Sequence, residues 1–348
     1  MTTNHNDLFA DAARDVLADQ CTPQVVRAIE EGGRTAEATT DLWEQLEATG
    51  LADALLSEDA GGAGLGLGQV FGVLEQCGAH ALPLPLGETM VARALLAQAG
   101  VARPAGSIAL ARGEHLANGG LRCALVRSGQ VAAAVLVQTG TEWRLLNTAD
   151  AQGAAQALAL DAALTWTAVQ VQAAPAVEVN GALDVRTLQA AVVAAQMAGA
   201  LSSVFQRSLQ YANERQQFGR PIGKFQAIQH QLAVMSEHVF AARMAAQLGC
   251  SAGHDGMGVV PDRLRVATAK ARCSEAALVV SELAHAIHGA IGFTEEYDLQ
   301  LFTRRLHAWR QTAGSEAYWY GVAGEALLHH QGMTLDIVRR ITDVDTVL

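Results

Sequence analysis

The chain has 348 residues, with 24 Lys+Arg against 35 Asp+Glu, a formal net charge of −11, half of its residues apolar and 17% charged. That length allows two or three domains around a large core, and the apolar surplus predicts further burial between subunits. The acidic balance and the lack of any Lys/Arg cluster exclude a phosphate-backbone footprint, so no nucleic-acid partner is expected. Cys21, Cys77, Cys123, Cys250 and Cys273 lie far apart, without CxxC or His-rich metal spacing. They read as buried thiols in a reducing compartment, with no metal site. The opening MTTNHNDLFADAARDV has no basic start followed by an apolar run, so no signal peptide is expected and a cytoplasmic location is the default. The uncharged run from Thr187 to Gln206 is interrupted by Gln189, Gln196, Ser202 and Ser203, which suits a buried bundle helix and argues against membrane insertion.

From Asp7 to about Ala99 apolar residues recur at helical spacing, as in Leu42, Trp43 and Leu46 and in Val70, Leu74 and Cys77, around a break at Gly61-Gly62-Ala63-Gly64. After Pro104 short strands are predicted over Leu121–Arg127, Gln130–Gln138, Trp143–Leu146 and Thr165–Val171, with turns at Ser128-Gly129 and at residues 139–142, as a hairpin-like meander. From Leu183 the helical period returns, and Phe225, Ile228, Leu232, Met235 and Val239 step by 3, 4, 3 and 4 along one face, a core-packing stripe. Helices, then strands, then helices give an α+β protein with domains segregated along the chain: an N-terminal helical domain over 1–103, a small middle β domain over 104–182 and a C-terminal helical domain over 183–348. No Rossmann or P-loop glycine spacing opens a helix after a strand. The loop run Glu214-Arg-Gln-Gln-Phe-Gly-Arg-Pro-Ile-Gly-Lys-Phe-Gln226 gathers guanidinium groups, amides and a helix N-terminus, a cradle suited to a pyrophosphate.

That run, together with His288-Gly-Ala-Ile-Gly-Phe-Thr-Glu-Glu-Tyr-Asp-Leu299, Arg304-Arg305, Leu46-Glu-Ala-Thr-Gly50 and Glu58-Asp-Ala-Gly-Gly-Ala-Gly-Leu-Gly66, resembles the acyl-CoA dehydrogenase family over nearly the whole chain. The resemblance implies a helical domain, a β domain and a four-helix bundle, assembling as a dimer of dimers around FAD. It implies α,β-desaturation of an acyl-CoA thioester, in which a carboxylate takes the α-proton while the β-hydrogen leaves as hydride, with electrons passing on to an electron-transfer flavoprotein. Carried over residue by residue, Arg215, Gln217 and Phe218 match positions that hold the ADP half of an FAD across a subunit interface, and Gln226 matches a further FAD contact. Gly289 and Ala290 match the loop whose backbone lies near the pyrophosphate. Ala286 stands where the family often has Gln.

The departures are as informative as the matches. The family places its catalytic glutamate in one of two positions, and here those hold Ala313 and Gln189, neither of which takes a proton from a thioester α-carbon. The middle domain is short and lacks the family's Thr-Glu-Pro-like loop ending in Gly-Ser-Asp. The chain therefore resembles the short, base-lacking subunit of heterotetrameric bacterial acyl-CoA dehydrogenases of the steroid-degradation type, whose larger partner subunit supplies the flavin seat and the base. The alternatives are a self-sufficient homo-oligomeric dehydrogenase with Glu316 as a displaced base, and a non-catalytic scaffold or CoA-binding subunit. Local chemistry gives Glu316 a plainer role in the first turn of the last helix after an N-cap at Ser315. His288 reads as a helix-end residue that interacts with the last carbonyls.

Overall fold

A computed structural model describes residues 5–156, 158, 160–179, 183–251 and 260–343. The N-terminal part folds as α1 (His5–Gln20), α2 (Pro23–Gly32), α3 (Glu37–Ala48), α4 (Phe71–Ala79) and α5 (Leu86–Gln98). Helix starts follow local chemistry. Thr22 accepts from the Val25 N–H at 3.4 Å while Pro23, which has no N–H to leave unpaired, takes the first helical position.

The β layer comprises β1 (Ile108–Arg112), β2 (Glu114–His115), β3 (Leu121–Val126), β4 (Ala134–Thr139), β5 (Glu142–Asn147), β6 (Gln152–Ala155) and β7 (Ala162–Trp166), followed by the short α6 (Ala168–Ala173). Two sheets form, in the orders β1-β4-β5 and β2-β3-β7-β6, rather than the single meander expected. The difference arises at β1, which pairs parallel with β4 and carries no alternation of polar and apolar residues to betray it. Both of its faces are buried: Ile108 and Leu110 join the large helical core, while Ala109 and Ala111 join a second core between the sheets. The predicted strand Thr165–Val171 stops at Trp166 because Thr167 caps α6. The Thr167 Oγ1 accepts from the Gln170 N–H, and the Gln170 Oε1 accepts from the Thr167 N–H at 2.7 Å, a capping box.

The C-terminal part is α7 (Val185–Glu214), a hairpin of β8 (Gln216–Gln217) and β9 (Arg220–Pro221), then α8 (Gln226–Cys250), α9 (Arg263–His288), α10 (Leu299–Gln311), α11 (Glu316–His329) and α12 (Thr334–Thr342). Asp184 and Asp262 cap α7 and α9 by accepting two backbone N–H bonds each. By length and composition α7 and the stretch Arg263–Phe293 are apolar enough to cross a membrane, but 78% of the apolar window of α7 is buried inside the protein, as suits a bundle core.

Where α4 crosses α7 the two backbones touch. A Cβ placed on Gly199 would sit 1.8 Å from the Glu75 carbonyl oxygen, and one on Gly78 would sit 1.8 Å from the Gln196 carbonyl oxygen. Only glycine fits both positions, and their contact fixes the N-terminal helices on the bundle. Gly199→Ala is therefore expected to lower stability by about 3 kcal/mol or more, the upper range for overpacking, because backbone has to move. A lower urea midpoint of unfolding checks this.

Candidate functional site

Two places gather chemistry-bearing residues. The first is the end of the bundle where α7 stops, α8 starts and α9 stops. Arg215 follows α7 with its N–H bonded to the Tyr211 carbonyl at 2.8 Å, and its own carbonyl accepts from the Ile222 N–H at 2.8 Å, which closes the hairpin. Gln216 pairs with Pro221 and Gln217 with Arg220, leaving a two-residue turn of Phe218 and Gly219 with φ of 52° and 78°. Both are left-handed, as the tightest hairpin turns require, and the conformation strains a phenylalanine. Phe218 nonetheless presents 93% of its surface to solvent.

The charges around this turn are unspent. Arg215, Arg220 and Lys224 have no carboxylate partner among the described residues, and Arg220 lies over the Phe225 ring at 4.3 Å. No side chain caps α8, and while the Ile228 and Gln229 N–H groups donate to the Phe225 carbonyl, those of the exposed Gln226 and Ala227 remain open to an anion. Gly289, with φ of 63°, and Ala290 lie exposed at the end of α9. They are tied to the hairpin side through Tyr211, whose ring stacks on His288 at 4.5 Å and whose hydroxyl donates to the His288 carbonyl at 3.4 Å. All six positions that match FAD contacts thus share one end of the bundle. His288 is buried, with its Nδ1 2.7 Å from the Ala284 carbonyl, and burial, with His285 and Arg207 nearby, holds its imidazole below the ordinary range. It packs the helix end and does not present a proton.

The second place is a cleft of about 510 Å³ between the β layer and the start of α7. Gln189 and Ala313, the two positions that the resemblance matches to the family's base, both line it, together with Arg112, Glu114, Arg122 and Arg186. Neither residue ionises, and both are committed elsewhere. The Gln189 amide donates to the Glu88 Oε1 at 3.3 Å and to the Leu110 carbonyl at 3.1 Å. Ala313 sits in a left-handed turn with φ of 56°, its carbonyl accepting from the Trp319 indole at 3.0 Å. The buried Lys270 donates to the Arg310 and Gly314 carbonyls at 3.0 Å each and so fixes the same loop; burial pushes its amine down to about 7.

Behind Gln189 lies a charge pair that sequence reasoning missed. Glu88 on α5 is wholly buried and Arg127, at the end of β3, is 3% exposed; the two approach to 3.5 Å, an ionic contact. The Leu110 N–H donates to the Glu88 Oε2 at 2.7 Å, Arg127 donates to the Gln196 side chain, and the guanidinium lies 5.1 Å from the Trp309 ring centre. Burial pushes the Glu88 carboxyl up, while Arg127, the Leu110 N–H and the Gln189 amide pull it back. A lone glutamate inside the apolar run of α5 was the available signal.

Glu316 does not line the cleft, and both of its oxygens are clasped by Arg310, which holds the carboxyl below its usual range. Ser315 caps α11 by accepting from the Tyr318 N–H at 3.5 Å. The clamp and this placement weigh against a displaced base.

A helical domain, a β layer and a helical bundle in this order, with an exposed cationic hairpin on the bundle, define a subunit of the flavin-dependent dehydrogenase type. The chain belongs to the acyl-CoA dehydrogenase family: residues 3–103 match its N-terminal domain and residues 185–328 its C-terminal domain. It is 30% identical over 305 residues to the acyl-CoA dehydrogenase IpdE2 of Mycobacterium tuberculosis, spanning 86% of this chain and 90% of that one. Its fold is similar to the ChsE4-ChsE5 complex from Mycobacterium tuberculosis, with a TM-score of 0.80 and 22% identity over 95% of this chain and 99% of that chain. It is also similar to a variant of the Tcur3481-Tcur3483 steroid ACAD, with a TM-score of 0.77 and 26% identity over 93% and 97% of the two chains.

Because Gln189 serves as a donor to Glu88, a carboxylate there meets another at hydrogen-bond distance and leaves the Leu110 carbonyl unpaired. Gln189→Glu is expected to cost roughly 3 kcal/mol, as for an uncompensated buried charge, and to confer no dehydrogenation of acyl-CoA. Thermal unfolding and a flavin-bleaching assay read the two effects.

Proposed function

We propose that this chain is the cofactor-sharing subunit of a hetero-oligomeric acyl-CoA dehydrogenase, holding the ADP half of an FAD whose flavin and catalytic base belong to a larger partner subunit. The observation that carries the reading is the hairpin: three cations without a carboxylate partner among the described residues, beside an aromatic residue that is strained and almost wholly exposed. Exposure of that kind is costly in a free surface and suits an interface. The residues present fit a dinucleotide diphosphate. Arg215 offers a planar fork of donors that stays protonated, Gln217 and Gln226 offer amides, Phe218 offers a packing surface, and the backbone at Gly289 and Ala290 allows close approach. FAD, when bound, supplies the acceptor for the substrate's β-hydride.

The chain's own residues bind and orient; they do not abstract a proton, because Gln189 and Ala313 replace the base and Glu316 is clamped by Arg310. The resemblance in fold to the Tcur3481-Tcur3483 steroid ACAD, named for two gene products, supports pairing with a second chain and a bulky acyl-CoA substrate. Electrons then pass to an electron-transfer flavoprotein, the acceptor implied by the family. Co-purification with a larger, base-containing homologue is expected to give one FAD per pair of chains. Arg215→Ala in that complex removes charge-assisted bonds worth about 1.5–3 kcal/mol and is expected to weaken FAD retention roughly 10- to 100-fold. One FAD per chain, or unchanged retention in the variant, contradicts the assignment.

A further inference from the structure

The cleft that holds the two vacated base positions is not a passive relic. In a chain with 35 acidic and 24 basic residues, its lining reverses the balance, with Arg112, Arg122 and Arg186 against the single carboxylate of Glu114. Arg122 and Glu114 are 3.9 Å apart and both are exposed, a contact that solvent screens. Arg112 and Arg186 have no carboxylate within salt-bridge distance among the described residues. The Arg186 guanidinium rests on the Tyr318 ring at 4.5 Å, which fixes its plane and leaves its edge donors free.

Apart from Gln189, the rest of the cleft lining is apolar. The register of β3 shifts between Cys123 and Val126, and at this irregularity Ala124 and Leu125 turn to the cleft, where Val185 and Ala313 also line it. Bulges of this kind re-aim side chains next to binding sites. Leu125 remains 43% exposed there, an apolar surface with nothing over it. At about 510 Å³ the space suits a small organic molecule better than a bare ion.

We propose that this cleft is a second ligand site, independent of the hairpin, that binds an organic carboxylate with a bulky apolar body, its headgroup on Arg112 and Arg186 and its body against Leu125, Val185 and Ala313. With Gln189 and Ala313 at the two positions matched to the family's base, the bound acid is held and not transformed.

The test uses the full-length chain and the fluorescent acid 1-pyrenebutyrate, with the neutral 1-pyrenebutanol and inorganic phosphate as separate arms. The acid is expected to bind at least about 10-fold tighter than the alcohol, and phosphate to displace it poorly, because both the charge and the apolar body contribute. The double variant Arg112→Gln with Arg186→Gln is expected to lose about 10-fold or more in affinity for the acid, and Leu125→Gln to lose affinity through the other half of the site, while Arg14→Gln, on a distant helix, changes nothing. Circular dichroism confirms that each variant folds. Equal binding of acid and alcohol, displacement by phosphate at concentrations equal to the acid, or a double variant that binds the acid as the wild type does, each overturns the proposal.

Discussion

The buried pair of Glu88 and Arg127 is the constraint around which this subunit is arranged. A carboxylate and a guanidinium out of water are tolerated when they are paired and most of their remaining hydrogen-bonding capacity is met. Here most of the demand is met from two other parts of the chain: Leu110 of the β layer donates to Glu88, while on α7 Gln189 donates to the other Glu88 oxygen and Gln196 accepts from Arg127, whose Nη1 keeps only the ionic contact to Glu88. One charge cluster thereby sets how α5, the β layer and the bundle meet. It also favours a neutral donor at the α7 position facing the cleft, so that on the proposed reading the lack of a carboxylate at Gln189 is a requirement of this packing as well as a loss of chemistry.

The two ends of α7 treat charge in opposite ways. At its start the buried ions find partners within the chain. At its finish Arg215, Arg220 and Lys224 find no carboxylate among the described residues, α8 has no side-chain cap, and Phe218 stands out in solvent on a strained turn. On the proposed reading this open surface is completed from outside, by a dianion and by a partner polypeptide. On that reading, the neutral side chains at Gln189 and Ala313 and the carboxylate-free hairpin are two consequences of one division of labour between subunits.

Most of this was legible in the sequence wherever the signal was local. The period of Phe225 to Val239, the Ser315 cap before Glu316 and the run from Arg215 to Gln226 are each short-range patterns, and the structure places them on elements that agree with the reading. The β layer was read less well. A strand such as β1, buried on both faces, has no alternation to reveal it, and the capping box at Thr167 ends a strand where the alternating run suggested that it continues. The Glu88–Arg127 pair joins residues 39 positions apart in sequence, and no spacing rule connects them. The cationic lining of the cleft escaped for the same reason, since Arg112, Arg122 and Arg186 come together only when the β layer docks on α7.

The central claim, that this chain cannot complete a flavin site or a reaction by itself, is tested most directly on the chain purified without a partner. Incubated with FAD, freed of excess and assayed with acyl-CoA and an artificial electron acceptor, it should show no flavin absorbance above a blank and no turnover. A yellow chain that desaturates acyl-CoA alone would contradict the account.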